Sequence, residues 1–121
     1  MNHMGARFLS DEAATLPFLG EVGRRGLFYL DDGSVAASSA ANAGAALDVP
    51  VVVGDLILDR QRSPEAIAEQ LRSLEQIAAT KGIAVGIASA FPDSVAALAE
   101  WAQSAPDRGI ALVPATAALL R

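Results

Sequence analysis

The chain contains no cysteine, a single histidine and a single tryptophan, and aromatic residues make up only 5% of it. Without cysteine, disulfide frameworks, thiolate zinc sites and cysteine nucleophiles are excluded. Positive charge is scarce as well. Nine Lys/Arg stand against fourteen Asp/Glu, giving a net charge of -5 with no basic cluster. That balance argues against a nucleic-acid groove or an anionic membrane surface as partner. No apolar run approaches the ~20 residues of a membrane span, and Met1-Asn2-His3-Met4-Gly5 does not read as a signal peptide. Neither a G-x-G-x-x-G nor a Walker loop is present, which removes the common phosphate cradles. A G-x-S-x-G elbow is also missing, so a serine nucleophile is not expected.

What is present is a folding composition. Of the 121 residues, 52% are hydrophobic and 19% charged, too apolar for a disordered chain and the right length for one domain, 1–121. Much of the apolar share is alanine, which suits helices packed closely on a sheet. Short apolar runs alternate with helical patterns from residue 27 onward. Leu27-Phe28-Tyr29-Leu30 reads as a buried strand, followed by an alanine-rich helix from Val35 to Leu47 with Ser34 as its N-cap. Val51-Val52-Val53 is the next strand, with a second short run at Leu56-Ile57-Leu58. The clearest helix starts at Ser63-Pro64-Glu65 and closes at Lys81-Gly82, with Ile67, Leu71, Leu74 and Ile77 on one face. Residues 83–88 form a third strand. A helix capped by Asp93 or Ser94 carries Val95, Leu98, Ala99 and Ala102 on its inner face, and 110–113 form a fourth strand. Ahead of these, a helix begins at Ser10-Asp11-Glu12 or, to spare Pro17, at Thr15. The expected fold class is therefore α/β, built of parallel βα units. Four parallel strands leave two bare edges, so the domain is either small and open or one half of something larger.

Function in such folds sits at the carboxyl ends of the strands. The first βα loop, Asp31-Asp32-Gly33-Ser34, is the richest candidate: adjacent carboxylates there can hold a cation or act as a base, or simply form an Asp-Gly turn with a helix cap. The second loop offers Asp55, directed to the same mouth as Asp31. Asp59 reads as a further acid or as a solvated turn beside the next helix. The third, Ser89-Ala90-Phe91-Pro92, has no titratable group before Asp93. Trp101 reads as packing, and Arg24-Arg25 as cations suited to a helix end.

Several of these segments resemble one family. Asn2-His3-Met4-Gly5-Ala6-Arg7-Phe8 is similar to the Asn-His-Met-Gly-Ser-Arg-Phe of the divergent polysaccharide deacetylases. Arg25-Gly26-Leu27-Phe28-Tyr29-Leu30-Asp31 resembles their Arg-Gly-Leu-Phe-Phe-Leu-Asp, and Gly54-Asp55-Leu56-Ile57-Leu58-Asp59 their Arg-Asp-Val-Phe-Leu-Asp. Residues 108–114 fit their closing strand, so the resemblance runs in order along essentially the whole chain. It implies half of a distorted (β/α) barrel, the C-terminal half, with the N-terminal half missing. It further implies zinc-assisted removal of acetyl groups from cell-envelope or peptidoglycan-related carbohydrate, and an exported or periplasmic setting. By motif match His3 is the metal ligand, Asp31 and Asp55 are the catalytic carboxylates, and Asn2 and Ser34 the substrate-binding residues. Two departures matter. Where the family carries Gly-His-Pro-His-Pro, this chain has Ala88-Ser89-Ala90-Phe91-Pro92, and its Ser-Arg-Thr is here Asp32-Gly33-Ser34. A catalytic zinc takes three protein ligands, and one histidine without the family's Asp pair leaves the set incomplete. The rival expectation is a non-catalytic domain that binds glycan or protein. Bare sheet edges add the expectation of a homodimer or of pairing with the missing half.

Overall fold

The computed structural model describes every residue except His3 and Arg121, and the backbone but not the side chain of Leu120. Among the described residues the chain is mixed α/β with five α-helices and short parallel strand pairs, and it divides into two compact units, Met1–Gly54 and Asp55–Arg121.

In the first unit the order is α1 (Ala6–Leu9), α2 (Glu12–Arg24), β1 (Tyr29–Asp31), α3 (Ala40–Leu47) and β2 (Val51–Val53). Helix α2 starts at the earlier of the two expected places. The Asp11 side chain accepts from Ala14 N at 3.3 Å and caps it, so Pro17 lies inside the helix. Pro17 leaves the Ala13 carbonyl without its helical donor, a loss offset by the buried face of Thr15 and Leu19. Helix α3 is shorter than the sequence implied. Ser34 is not its cap; Asp32 Oδ1 takes Ser34 N at 2.9 Å, the Ser38 hydroxyl goes to Asp31, and the Ser39 hydroxyl goes to Leu9 O at 2.8 Å. Ser38 and Ser39 are thus tied to groups outside the expected helix, which begins only at Ala40. Strands β1 and β2 run parallel, Tyr29 opposite Val51 and Asp31 opposite Val53. The core of the unit is Leu9, Leu19, Tyr29, Ala40 and Ala43. Close approach of α3 to β2 explains Gly44, where a Cβ would stand 2.4 Å from Val51 Cγ2 and 2.8 Å from Val49 O. Arg24 and Arg25 both pair with Glu21, at 2.7 Å each, at the end of α2.

The second unit contains β3 (Leu56–Ile57), α4 (Pro64–Lys81), β4 (Gly86–Ile87) and α5 (Pro92–Ser104), followed by 3-10 turns at Pro106–Arg108 and Ala115–Leu120. Helix α4 matches its sequence signals: Ser63 Oγ accepts from Ala66 N at 3.2 Å, Pro64 opens it, and Gly82 at φ 86 ends it. Its inner face packs Ile67 and Leu71 with Leu58, against Leu74, Ala97, Leu98 and Trp101. Trp101 is packing, as expected, and its indole donates to Glu75 Oε1 at 2.6 Å.

Three expectations fail in this unit. Helix α5 is not capped by Asp93 or Ser94; it opens with Pro92 at its first position, which places both residues inside its first turn. Val95 faces outward, and Ala97 and Trp101 take its place in the core. Residues 110–113 form no strand, because among the described residues no ladder partner stands beside them. Among the described residues the strands are two parallel pairs, β1–β2 and β3–β4, with Leu56 opposite Gly86 in the second, so the expected parallel βα pattern holds over three of its four strands.

Candidate functional site

Strand β1 ends in a carboxylate that is only 1% exposed. Asp31 Oδ1 accepts from Gly33 N at 3.0 Å and Oδ2 from the Ser38 hydroxyl at 2.5 Å. The chain can turn this sharply because Gly33 adopts φ 72; a Cβ there would lie 2.5 Å from Gly54 O. Gly54 N in turn donates to Asp31 O at 2.8 Å, extending the ladder past β2. Asp32 follows with its own tight turn onto Ser34 N. Its backbone N–H donates to Asn2 Oδ1 at 2.9 Å, tying residue 2 to a strand end thirty positions later.

That bond orients the Asn2 amide. With Oδ1 engaged as acceptor, Nδ2 is the donor end, and it is buried with no hydrogen-bond partner among the described residues. Beneath the turn Tyr29 stands edge-on to Phe18, ring centroids 5.6 Å apart. Burial, with the Asp31 and Asp32 charges adding, pushes its phenol up to about 12. The first unit therefore brings Asn2, Asp31, Asp32 and Ser34 together. Sequence reasoning missed Ser38, whose only signal is a serine pair seven residues beyond Asp31.

Asp55 belongs to the second unit and is held there by two bonds. Its Oδ1 accepts from Lys81 Nζ at 2.7 Å and its Oδ2 from Val85 N at 2.8 Å, which joins the amino end of β3 to the α4–β4 connection. At the other end of β3 stands Asp59. It is 7% exposed rather than solvated, and its Oδ2 accepts from Ser89 N and from the Ser94 hydroxyl, both at 2.8 Å. Arg62, in the same loop, lays its guanidinium 4.6 Å from the centre of the Phe91 ring.

The family's sequence profile matches residues 1–119. The chain belongs to the divergent polysaccharide deacetylase family. An uncharacterized protein from Agrobacterium tumefaciens C58 is similar in structure, with a TM-score of 0.95 and 40% sequence identity. The match covers 97% of this chain and 48% of that one, so the chain spans about half the length of this relative. No curated protein matches.

The zinc that the family resemblance implies can be tested against the donors. Among the described residues no three His, Cys, Asp or Glu side chains gather closely enough to hold a metal ion. Both oxygens of Asp31 already accept hydrogen bonds, and His3, the expected ligand, lies outside the described residues. The described donors alone do not fit a three-ligand zinc site.

Proposed function

We propose that the chain supplies the substrate-orienting wall of a carbohydrate deacetylase site, part of a distorted (β/α) barrel, acting on acetyl groups of cell-envelope glycan in an exported or periplasmic setting. The observation that carries this reading is the Asn2 amide. Its oxygen is fixed by Asp32 N, while its nitrogen is buried with no acceptor among the described residues. A buried donor left unmade costs about 1–3 kcal/mol, so an amide kept in this state is poised for an acceptor brought by a ligand. The carbonyl oxygen of an acetyl group, or a sugar hydroxyl, is such an acceptor.

In this reading Asn2 binds substrate and the Ser34 turn borders it. Asp31, fully engaged, is a positioning residue that holds the turn. Asp55 is assigned no step in this reading; it lies in the second unit, where Lys81 Nζ and Val85 N each donate to it. A divalent ion bound with His3 and donors beyond the described set would polarise the carbonyl and activate water. The test is acetate release from acetylated peptidoglycan fragments in the presence of zinc. Asn2→Ala should raise KM by ~10-fold, the equivalent of about 1.4 kcal/mol, and His3→Ala should abolish stabilisation by zinc. An unchanged KM for Asn2→Ala contradicts the assignment.

One observation favours a second reading, glycan binding without hydrolysis. Where the family carries its histidine pair, the chain presents Ser89 and Phe91, and the buried Asp59 is filled by Ser89 N and the Ser94 hydroxyl. Fragment binding without any acetate release would decide for it.

A further inference from the structure

Strands β3 and β4 run parallel, and ligands of such sheets meet the loops that leave the carboxyl ends of the strands. Those loops are 58–63 and 88–91, and Asp59 joins them. Both bonds that hold its carboxylate, from Ser89 N and the Ser94 hydroxyl, fall on Oδ2. Although Asp59 is only 7% exposed, its Oδ1 reaches solvent and has no hydrogen-bond partner among the described residues. Phe91 crowns the loop between the two tied serines and is 44% exposed. Arg62 lies over its ring, 4.6 Å from the centre. Arg24, Arg25 and Arg108 each pair with a glutamate, whereas Arg62 meets no carboxylate among the described residues. Stacking on Phe91 restrains the guanidinium while its planar fork of N–H donors stays open to an acceptor.

One loop therefore carries an unmatched acceptor, Asp59 Oδ1, and an unmatched donor fork, Arg62, with an exposed aromatic ring across from them. A simple anion would leave Oδ1 without a donor and meet its like charge. A neutral polyol would leave Arg62 without its counter-charge. A polyol that carries a carboxylate answers both, and its C–H face can rest on Phe91. We infer that the loops after β3 and β4 bind an acidic sugar. Arg62 pairs with the sugar carboxylate, a sugar hydroxyl donates to Asp59 Oδ1, and Phe91 lies against the ring carbons. The inference rests on the reading that the chain meets glycan and names the charge of that glycan, but it uses neither Asn2 nor acetyl hydrolysis.

The experiment is an NMR titration of the full chain with D-glucuronate, D-glucose and acetate at equal ionic strength, followed at Arg62 Nε–H and at the amides of 59–63 and 89–91. Glucuronate should shift these resonances and bind ~10-fold more tightly than glucose or acetate, as a charge-assisted bidentate contact requires. Arg62→Gln should reduce glucuronate to the level of glucose, and Arg62→Lys should restore it only in part, since an ammonium lacks the fork. Arg62 is exposed, so both variants should keep the melting temperature of the parent chain. Glucose bound as tightly as glucuronate overturns the inference, as does glucuronate binding untouched by Arg62→Gln. Acetate bound as tightly as glucuronate also overturns it, by showing a plain anion contact. Glucuronate carries no acetyl group, so its failure to bind would leave the Asn2 assignment standing.

Discussion

Each unit ends the first strand of its parallel pair near a buried aspartate, and the two carboxylates are satisfied in the same currency, one backbone N–H and one serine hydroxyl. Asp31 takes Gly33 N and Ser38 Oγ, two and seven residues along the chain. Asp59 takes Ser89 N and Ser94 Oγ, thirty and thirty-five residues along. The difference in reach sets the difference in role. Asp31 builds its own turn and leaves the neighbouring Asp32 N–H to orient Asn2. Asp59 fastens the loop after β3 to the loop after β4 and the start of α5. One aspartate shapes its own loop; the other ties together the loops of the second unit.

The glycines near these strands offer the strongest way to break the comparison. Gly33→Ala must accept φ 72 and a Cβ 2.5 Å from the Gly54 carbonyl oxygen, a backbone atom that cannot step aside. Left-handed strain and overpacking each cost about 1–3 kcal/mol, and denaturant unfolding should register a loss near the sum. The nearest atoms to a Cβ in Gly86→Ala are side-chain ones, the Leu58 and Leu74 methyls at 2.8 Å and Leu58 Cγ at 3.3 Å, which can shift as a backbone oxygen cannot. Its cost should stay below about 1.5 kcal/mol, the range of tolerated core swaps. Equal losses for the two would contradict the contrast.

Next in size is Asp59→Ala, which strands the fully buried Ser94 hydroxyl and Ser89 N. It should lower stability by about 1–3 kcal/mol and speed amide exchange across 88–94 together with 59–63. Asp31→Ala should loosen 31–38 alone. If Asp59→Ala leaves the loop after β4 protected, the fastening role is wrong.

Two pH effects are smaller. Tyr29 is held neutral by burial and by the adjacent acids, up to about 12 against an ordinary 10.0. Because the folded state binds that proton more tightly, its stabilisation is complete below pH 10 and is lost as pH rises toward 12. Asp31→Asn, by removing one negative charge, should lower the midpoint in an ultraviolet phenolate titration; an unmoved midpoint would remove Asp31 from the cause. In the second unit burial opposes ionisation of Glu75, but hydrogen bonds from Trp101 and Arg108 outweigh it and hold its carboxyl below the usual 4.5. That stabilisation is present above pH 4.5 and is lost as pH falls through the lowered value. Glu75→Gln should therefore flatten the acid limb of a melting-temperature profile followed by Trp101 fluorescence.

The elements that could be read from sequence are those decided within a few residues. Helix α4 announces itself by Ser63-Pro64-Glu65 and Lys81-Gly82, and each of those residues sits where its chemistry places it. The turn 31–34 was legible for the same reason, an Asp-Gly pair after an apolar run. Asn2 and Ser34 were reached through the family motif rather than through spacing. The cap of α5 was misread locally, through Pro92, but the other misreadings depend on partners beyond their own segment. Ser34 lost its cap because Ser38 and Ser39 found acceptors in Asp31 and Leu9. Asp59 is buried by residues at least thirty positions away. A strand at 110–113 needs a second strand, which no local pattern can provide.

The most direct test of the account is the side-chain amide of Asn2 in an NMR titration with an N-acetylated peptidoglycan fragment and with the same fragment after deacetylation. The account predicts that the Asn2 Nδ2 resonances shift with the acetylated fragment, and far less with the deacetylated one. Resonances that stay fixed with both, or move equally with both, would contradict it.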